Sequence, residues 1–210
     1  MITDYFDGAL YINLDHRADR RSQAEAEFAK YGLVVERVVG IKGNPGLVTP
    51  MTPGNVGNIL SHRKCILMAQ ERKWNTVLIF EDDVEFVGDV NALFDDYFSR
   101  VPEDWDMVYL GGNHWGERLQ FNDSNNRLTY VADNVYRTRY TLTTHAYAIK
   151  STLFVFMDYL FSTALQQVDI LCLKAQEHFN VYALRPNLAI QSAGYSDIAR
   201  KVVDYSFMKK

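Results

Sequence analysis

Three adjacent carboxylates, Glu81, Asp82 and Asp83, follow the apolar run Val77-Leu78-Ile79-Phe80. Carboxylates this close repel one another, and they are tolerated where water solvates them or a cation neutralises them. Oxygen ligands in this number suit Mn²⁺ or Mg²⁺. The competing reading is a solvated turn at a strand end, and after a fully apolar strand the two stand level. Asp169 falls near the start of a helix expected over residues 168–179. A carboxylate there gains from the helix dipole. It could act as a general base on an acceptor hydroxyl, although position alone favours a simple cap. Ser61-His62-Arg63 lies on a helix, where His62 could meet a phosphate or an acceptor; a lone helical His is more often structural. Arg17, Arg20 and Arg21 cluster after the first apolar run, behind Asn13. Arginine clusters suit phosphate recognition, and an exposed basic helix start accounts for them equally well.

These residues need elements to hold them. Ala9 to Leu14 reads as a buried strand that runs into the polar turn Asp15-His16-Arg17. Arg17 to Tyr31 is rich in helix formers, with Ala24, Phe28 and Tyr31 on one stripe and Gly32 as its stop. Leu33 to Val39 is a second strand, so the chain opens β-α-β, as in a parallel α/β sheet. Gly40 to Gly57 holds five of the twelve glycines and three of the five prolines, which predicts a long loop. The helix after it should bury Val56, Ile59, Leu60, Ile66 and Leu67. Thr76 to Phe80 is the clearest strand, apolar enough to be buried on both faces. Val90, Leu93, Phe94, Tyr97 and Phe98 keep helical spacing. Asp106 to Leu110 is a strand and Asn113 to Asn126 a loop. Residues 127–149 should form two or three partly antiparallel strands. Ser151 can cap a helix beginning at Thr152. Short extended segments flank Pro186, and a polar tail starts at Ser192. The order of elements favours one α/β domain over residues 1–210.

Composition excludes several classes. Hydrophobic residues make up 48% and charged residues 23%, which is globular rather than disordered. The net charge of −4 argues against bulk electrostatic binding of nucleic acid. Cys65 and Cys172 both sit in apolar helical stretches and read as a reduced buried pair. The opening Met1-Ile2-Thr3-Asp4 shows no secretory pattern, and Leu153 to Leu165 is too short to cross a bilayer. The expected setting is cytoplasmic, with room for peripheral attachment to a membrane. No P-loop, G-x-S-x-G, H-E-x-x-H or C-x-x-C pair occurs, which leaves hydrolase and zinc readings little support.

Taken together, the segments resemble glycosyltransferase family 25, which includes bacterial lipooligosaccharide galactosyltransferases and procollagen galactosyltransferases. Tyr11-Ile12-Asn13-Leu14-Asp15-His16-Arg17 with Asp19-Arg20-Arg21 is similar to the family's I-N-L-x-R-R-x-D-R-R. Gly54 to His62 is similar to G-x-x-G-C-x-x-S-H, with Asn58 in place of Cys. Phe80-Glu81-Asp82-Asp83-Val84 matches F-E-D-D-x, and Asp104 to Gly111 matches D-W-D-x-x-Y-L-G. Thr144 to Ile149 is similar to T-x-A-Y-x-I. Val168-Asp169 stands where the family has P-V-D, with Gln167 in place of Pro. Gln191 with Ser196-Asp197-Ile198 is the last match. Each motif is weak alone, while the ordered set, spanning roughly residues 9 to 198, is specific.

The resemblance implies a GT-A fold with a mixed central sheet flanked by helices. Its nucleotide-binding half would cover about 1–112 and its acceptor-binding half about 113–210. It implies an inverting transferase that uses a UDP-sugar, most often UDP-galactose, with Mn²⁺ or Mg²⁺. Glu81-Asp82-Asp83 would be its variant of the D-x-D motif, with Asp83 on the metal and Glu81 and Asp82 holding the ribose or ordering the loop. Asp169 would be the base. Asn13, Leu14 and Arg17 would line the nucleotide pocket, Arg20 or Arg21 would reach the diphosphate or pair with helix carboxylates, and Ser61 and His62 would sit close to the donor. The acceptor would be a glycan, a glycolipid or a glycoprotein. Two alternatives stay open. A nucleotidyltransferase would want a glycine-rich loop after the first strand, and Asn13 to Arg21 has no glycine. A non-catalytic glycan- or nucleotide-binding protein would tolerate loss of Asp83 or Asp169, and both are present.

Overall fold

Residues 1–44, 46, 51–114, 127–163, 166–198 and 201–209 are described in the structure, a computed structural model. The expected loop over 113–126 therefore lies largely outside the described residues. The strands are β1 (Gly8–Asn13), β2 (Glu36–Val39), β3 (Thr76–Glu81), β4 (Val84–Phe86), β5 (Met107–Tyr109), β6 (Asn113–His114) and β7 (Leu128–Ala132). They continue with β8 (Val135–Thr138), β9 (Thr141–Leu142), β10 (Ala146–Lys150), β11 (Val181–Leu184), β12 (Ala189–Gln191), β13 (Gly194–Ser196) and β14 (Lys201–Val203). The α-helices are α1 (Ala18–Lys30), α2 (Pro53–Glu71), α3 (Val90–Phe98), α4 (Ser151–Thr163) and α5 (Val168–His178).

Eight strands form one mixed sheet in the order β2-β1-β3-β10-β5-β11-β8-β7. The β1-α1-β2 opening is parallel, as its pattern predicts. At the centre, β3 is parallel to β1 and antiparallel to β10. Its apolar run explains that position: Val77, Leu78, Ile79 and Phe80 are all fully buried. Leu78 and Phe80 join α1 and α3 in one core, while Val77 and Ile79 join α2, α4 and α5 in the other. The sheet is thus covered on both faces, the arrangement that favours uninterrupted apolar strands.

Three expectations shift. The long loop ends earlier: Thr52 caps α2 by accepting the Asn55 amide, and Pro53 takes the first turn, where its missing N–H costs nothing. Gly54 and Gly57 are therefore helical. A Cβ on Gly57 would stand 2.3 Å from the Ile41 carbonyl oxygen, so only glycine lets α2 press on the chain leaving β2. Gly57→Ala is expected to cost about 1–3 kcal/mol by overpacking, to be read from urea denaturation. The buried face of α2 also departs from hydropathy. It includes Ser61 and His62 beside Ile59, Cys65 and Ile66, and leaves Leu67 exposed. Finally, α4 starts at Ser151 itself, directly after β10. Both cysteines are free and buried, as expected.

Directionality positions the site. The carboxyl ends of parallel β1 and β3 lie together, with Ile12 opposite Glu81. Because β10 runs the other way, its leading residues Thr143 to His145 reach the same edge. The β4–β12 ribbon then sets Gln191 opposite Val84, next to Asp83. The carboxyl edge of the parallel strands is where open α/β sheets take ligands.

Candidate active site

A cavity of about 450 Å³ opens at that edge. Glu81, Asp82, Asp83 and Asp169 all line it, with Leu14, Arg20, Ser61 and Gln191. The two acidic groups that the sequence separates by some ninety residues thus meet in one space.

The three consecutive carboxylates are not equivalent. Glu81 Oε1 accepts from Thr144 Oγ1 at 2.7 Å and contacts His62 Nε2 at 3.1 Å. Burial would raise the Glu81 pKa, but the hydrogen bonds and charge of His62, aided by Thr144, outweigh it and hold Glu81 low. Asp82 Oδ2 takes Asn13 Nδ2 at 2.8 Å, and Asp82 Oδ1 takes Arg20 Nη1 at 2.9 Å. Burial still leaves the Asp82 pKa raised against the pull of Arg20. Asp83 is the least satisfied. Its Oδ2 meets Arg20 Nη1 at 3.2 Å and Gln191 Nε2 at 3.4 Å. Its Oδ1 is buried without a hydrogen-bond partner. Burial, reinforced by the charges of Glu81 and Asp82, pushes its carboxyl up to about 7.

Asp169 occupies the first turn of α5. Its Oδ1 accepts the Ile170 amide at 2.9 Å, so it serves a free amide of the first turn although Gln167 is the N-cap. The same carboxylate also faces the cavity. Burial raises its pKa, opposed by the amides of Ile170 and Thr143. Capping and proton transfer are therefore compatible here.

Other expected residues take different places. Leu14 and Ser61 line the cavity. Ser61 Oγ donates to the Gly57 carbonyl at 2.7 Å and accepts the Ile41 amide at 2.8 Å, tying α2 to the chain after β2. Asn13 stands behind Asp82, almost fully buried. His62 is fully buried, with Nδ1 3.0 Å from Tyr147 Oη. It orients Glu81 rather than reaching a donor. His62→Leu would leave the Glu81 carboxylate without its main partner, at an expected cost of about 3 kcal/mol, measurable by urea unfolding. Arg17 pairs with Asp19 and with Asp197 of the tail. Arg21 takes the second of the two roles open to it, pairing with a helix carboxylate. It is half exposed and bound to Glu25 one turn along α1, so Arg20 alone of that pair enters the site.

Pattern reading passed over Gln191, Thr144 and the tail as site components. Arg20 Nη2 donates to the Tyr195 carbonyl at 3.0 Å, and Gln23 Nε2 to Ser192 Oγ at 3.1 Å. With Arg17–Asp197, these contacts tie the tail to α1 beside the cavity. Gln191 and Asp197 stand among the quoted motifs; what hides their roles is distance along the chain, 108 residues from Asp83 for Gln191 and 180 from Arg17 for Asp197.

A mixed, two-face-covered sheet with an acidic turn at the end of its third strand defines the GT-A class of glycosyltransferase fold. A solved glycosyltransferase involved in glycosylating the major capsid of the virus PBCV-1 shares it. Its TM-score is 0.54 at 10% identity, over 92% of this chain and 95% of that one. Residues 6–166 match the family described as glycosyltransferase family 25 (LPS biosynthesis protein), and the chain belongs to that family. Asp169 and Gln191 fall beyond the matched stretch. Among curated relatives, procollagen galactosyltransferase 1-A of Xenopus laevis is 30% identical over 130 residues, 50% of this chain and 21% of its own length. The human protein named inactive glycosyltransferase 25 family member 3 is 29% identical over 168 residues, 69% of this chain and 27% of its own. The chain spans only about a quarter of the length of the curated relatives it matches. Among the described residues, no helix is long and apolar enough to cross a membrane.

Proposed function

We propose that the chain transfers a sugar, galactose in the first instance, from a UDP-sugar to a hydroxyl of a glycan, glycolipid or glycoprotein, with inversion. The observation that carries this reading is the placement of Asp83 and Asp169 on the walls of one cavity.

The cavity wall carries Glu81, Asp82, Asp83, Asp169 and Asp197 against Arg20 and Lys42. Such a lining repels a diphosphate unless a cation is added. The donor set fits Mn²⁺ or Mg²⁺: a buried carboxylate oxygen without a partner, in a site made of oxygens. Among the described residues no three His, Cys, Asp or Glu side chains converge to hold a metal by themselves. That pattern suits an ion completed by substrate phosphates. Bound at Asp83, the ion would supply charge neutralisation for the departing diphosphate.

The chain's own residues do the rest. Arg20 holds Asp82 and Asp83 and lines the cavity, so it can turn a guanidinium edge to a phosphate oxygen. Ser61 and Leu14 shape the wall next to it. Asp169, deprotonated, accepts the proton of the acceptor hydroxyl as that oxygen attacks the anomeric carbon. Its raised pKa makes it a stronger base than an exposed aspartate. The human relative's name favours a second reading, a protein that holds the nucleotide without turnover.

The test is thermal stability with UDP-, GDP-, CMP- and ADP-sugars, each with and without Mn²⁺. A ligand bound only by the folded state raises the melting temperature. A selective rise with one UDP-sugar plus Mn²⁺ supports the transferase, and release of UDP on adding an acceptor separates turnover from mere binding. No rise with any nucleotide near a millimolar sinks both readings.

A further inference from the structure

We propose that Gln191 supplies a second protein oxygen to the divalent cation, beside Asp83; the inference rests on the metal-dependent reading above. Two side-chain oxygens in this site are buried and have no hydrogen-bond partner, Asp83 Oδ1 and Gln191 Oε1. Folded proteins leave few such atoms, and each calls for a reason, a bound ion among them. Both belong to groups already in contact, since Gln191 Nε2 lies 3.4 Å from Asp83 Oδ2.

The neighbouring acids are committed elsewhere. Asp82 spends one oxygen on Asn13 and the other on Arg20. Glu81 is turned to His62 and Thr144. Gln191 is the side chain beside Asp83 with an oxygen to give. Its backbone is fixed as well. Gln191 pairs with Val84 in the β4–β12 ribbon, and the Ser192 amide donates to the Asp83 carbonyl at 2.7 Å. The two residues are therefore joined through the main chain before any ion arrives.

The chemistry of the amide explains the present orientation. With no cation and an ionised Asp83, an N–H faces the carboxylate, because two oxygens would repel. A half-turn of the carboxamide exchanges nitrogen for oxygen, and a cation between the groups makes that exchange favourable. Amide carbonyls are ordinary ligands for hard divalent ions. A neutral ligand also leaves more of the ion's charge to attract a diphosphate than a further carboxylate would.

The experiment is Mn²⁺ titration of the full chain in the presence of UDP, followed by calorimetry and by water-proton relaxation. Gln191→Leu keeps the bulk and removes the oxygen. It should weaken Mn²⁺ by about tenfold or more. Relaxation per bound Mn²⁺ should rise, because a water takes the vacated position; a merely structural residue would not change that reading. Gln191→Glu, which retains an oxygen, should bind at least as tightly as wild type. Melting curves without metal report whether each variant is folded, and the Glu variant decides the matter should the Leu variant unfold. Wild-type affinity and relaxation in Gln191→Leu, or weakened binding in folded Gln191→Glu, would overturn the assignment while the metal reading stands. No Mn²⁺ binding by the wild type, with or without UDP, would remove the metal reading and this inference together.

Discussion

Asp83→Asn is expected to make the ligand-free protein more stable and to abolish its stabilisation by UDP with Mn²⁺. In the fold the Asp83 carboxyl holds its proton up to about 7, against an ordinary value of 3.8. Between those values the folded state binds more protons than the unfolded one, so this group's contribution to stability falls as pH rises. Above 7 the full cost is present. A displacement of that size corresponds to roughly 4 kcal/mol at most, less whatever the lost Arg20 contact contributed. The gain from the Asn variant should therefore be larger at pH 8 than at pH 5. Melting curves in EDTA at both pH values, repeated with Mn²⁺ and UDP, check each half. A variant no more stable than wild type at pH 8 would show that the clustered charge is not the destabilising feature. Retained UDP–Mn²⁺ stabilisation would remove Asp83 as the ligand.

Asp169→Asn carries the largest expected effect on rate. The amide cannot accept the acceptor's proton, and general-base catalysis is worth about 10²–10⁴-fold. Donor binding should be unchanged, since the proposed function puts the donor with Arg20 and the acidic turn. Because burial raises the Asp169 pKa, wild-type transfer should fall on acidification at a higher pH than an exposed aspartate would give. The variant's residual rate should lack that acid limb. The asparagine side-chain oxygen can still accept the Ile170 amide, so the helix start survives and the loss can be assigned to proton transfer. Turnover close to wild type would require another base.

Much of this site is legible in the amino-acid sequence. Glu81-Asp82-Asp83 stands out because three acids end a fully apolar strand, a pattern that leaves a cation site and a solvated turn level, and that strand is central and buried on both faces. Asp169 was legible as a motif position and ambiguous as chemistry, and the structure shows why: one carboxylate serves both the helix and the cavity. What pattern reading missed has a common cause. Arg20 and Arg21 are neighbours on one helix, and only the rotation of α1 against β3 separates the one that enters the site from the one that meets Glu25. His62 reads as structural from its place on a helix and as close to the donor from the resemblance, and it is enclosed between Glu81 and Tyr147, where α2 packs on the sheet. Hydropathy periodicity could not anticipate a buried face carrying Ser61 and His62. Gln191 depended on a two-stranded ribbon formed between residues 84–86 and 189–191, and short local patterns carry no information on such pairings.

The strand order has a consequence for how the protein is made. Strand β10 inserts between β3 and β5, and β11 between β5 and β8, so the middle of the sheet is filled by chain that is synthesised late. At about 5–20 residues per second, the ribosome exposes β5 and β8 seconds before residues 181–184 emerge to pair with both. During that interval the apolar edge of β5 is unpaired on the side that β11 will take, and such non-local pairing is slow to form. Nascent chains stalled before residue 181 should therefore be the form most dependent on chaperones, and a shortened chain ending there should aggregate rather than retain a partial activity.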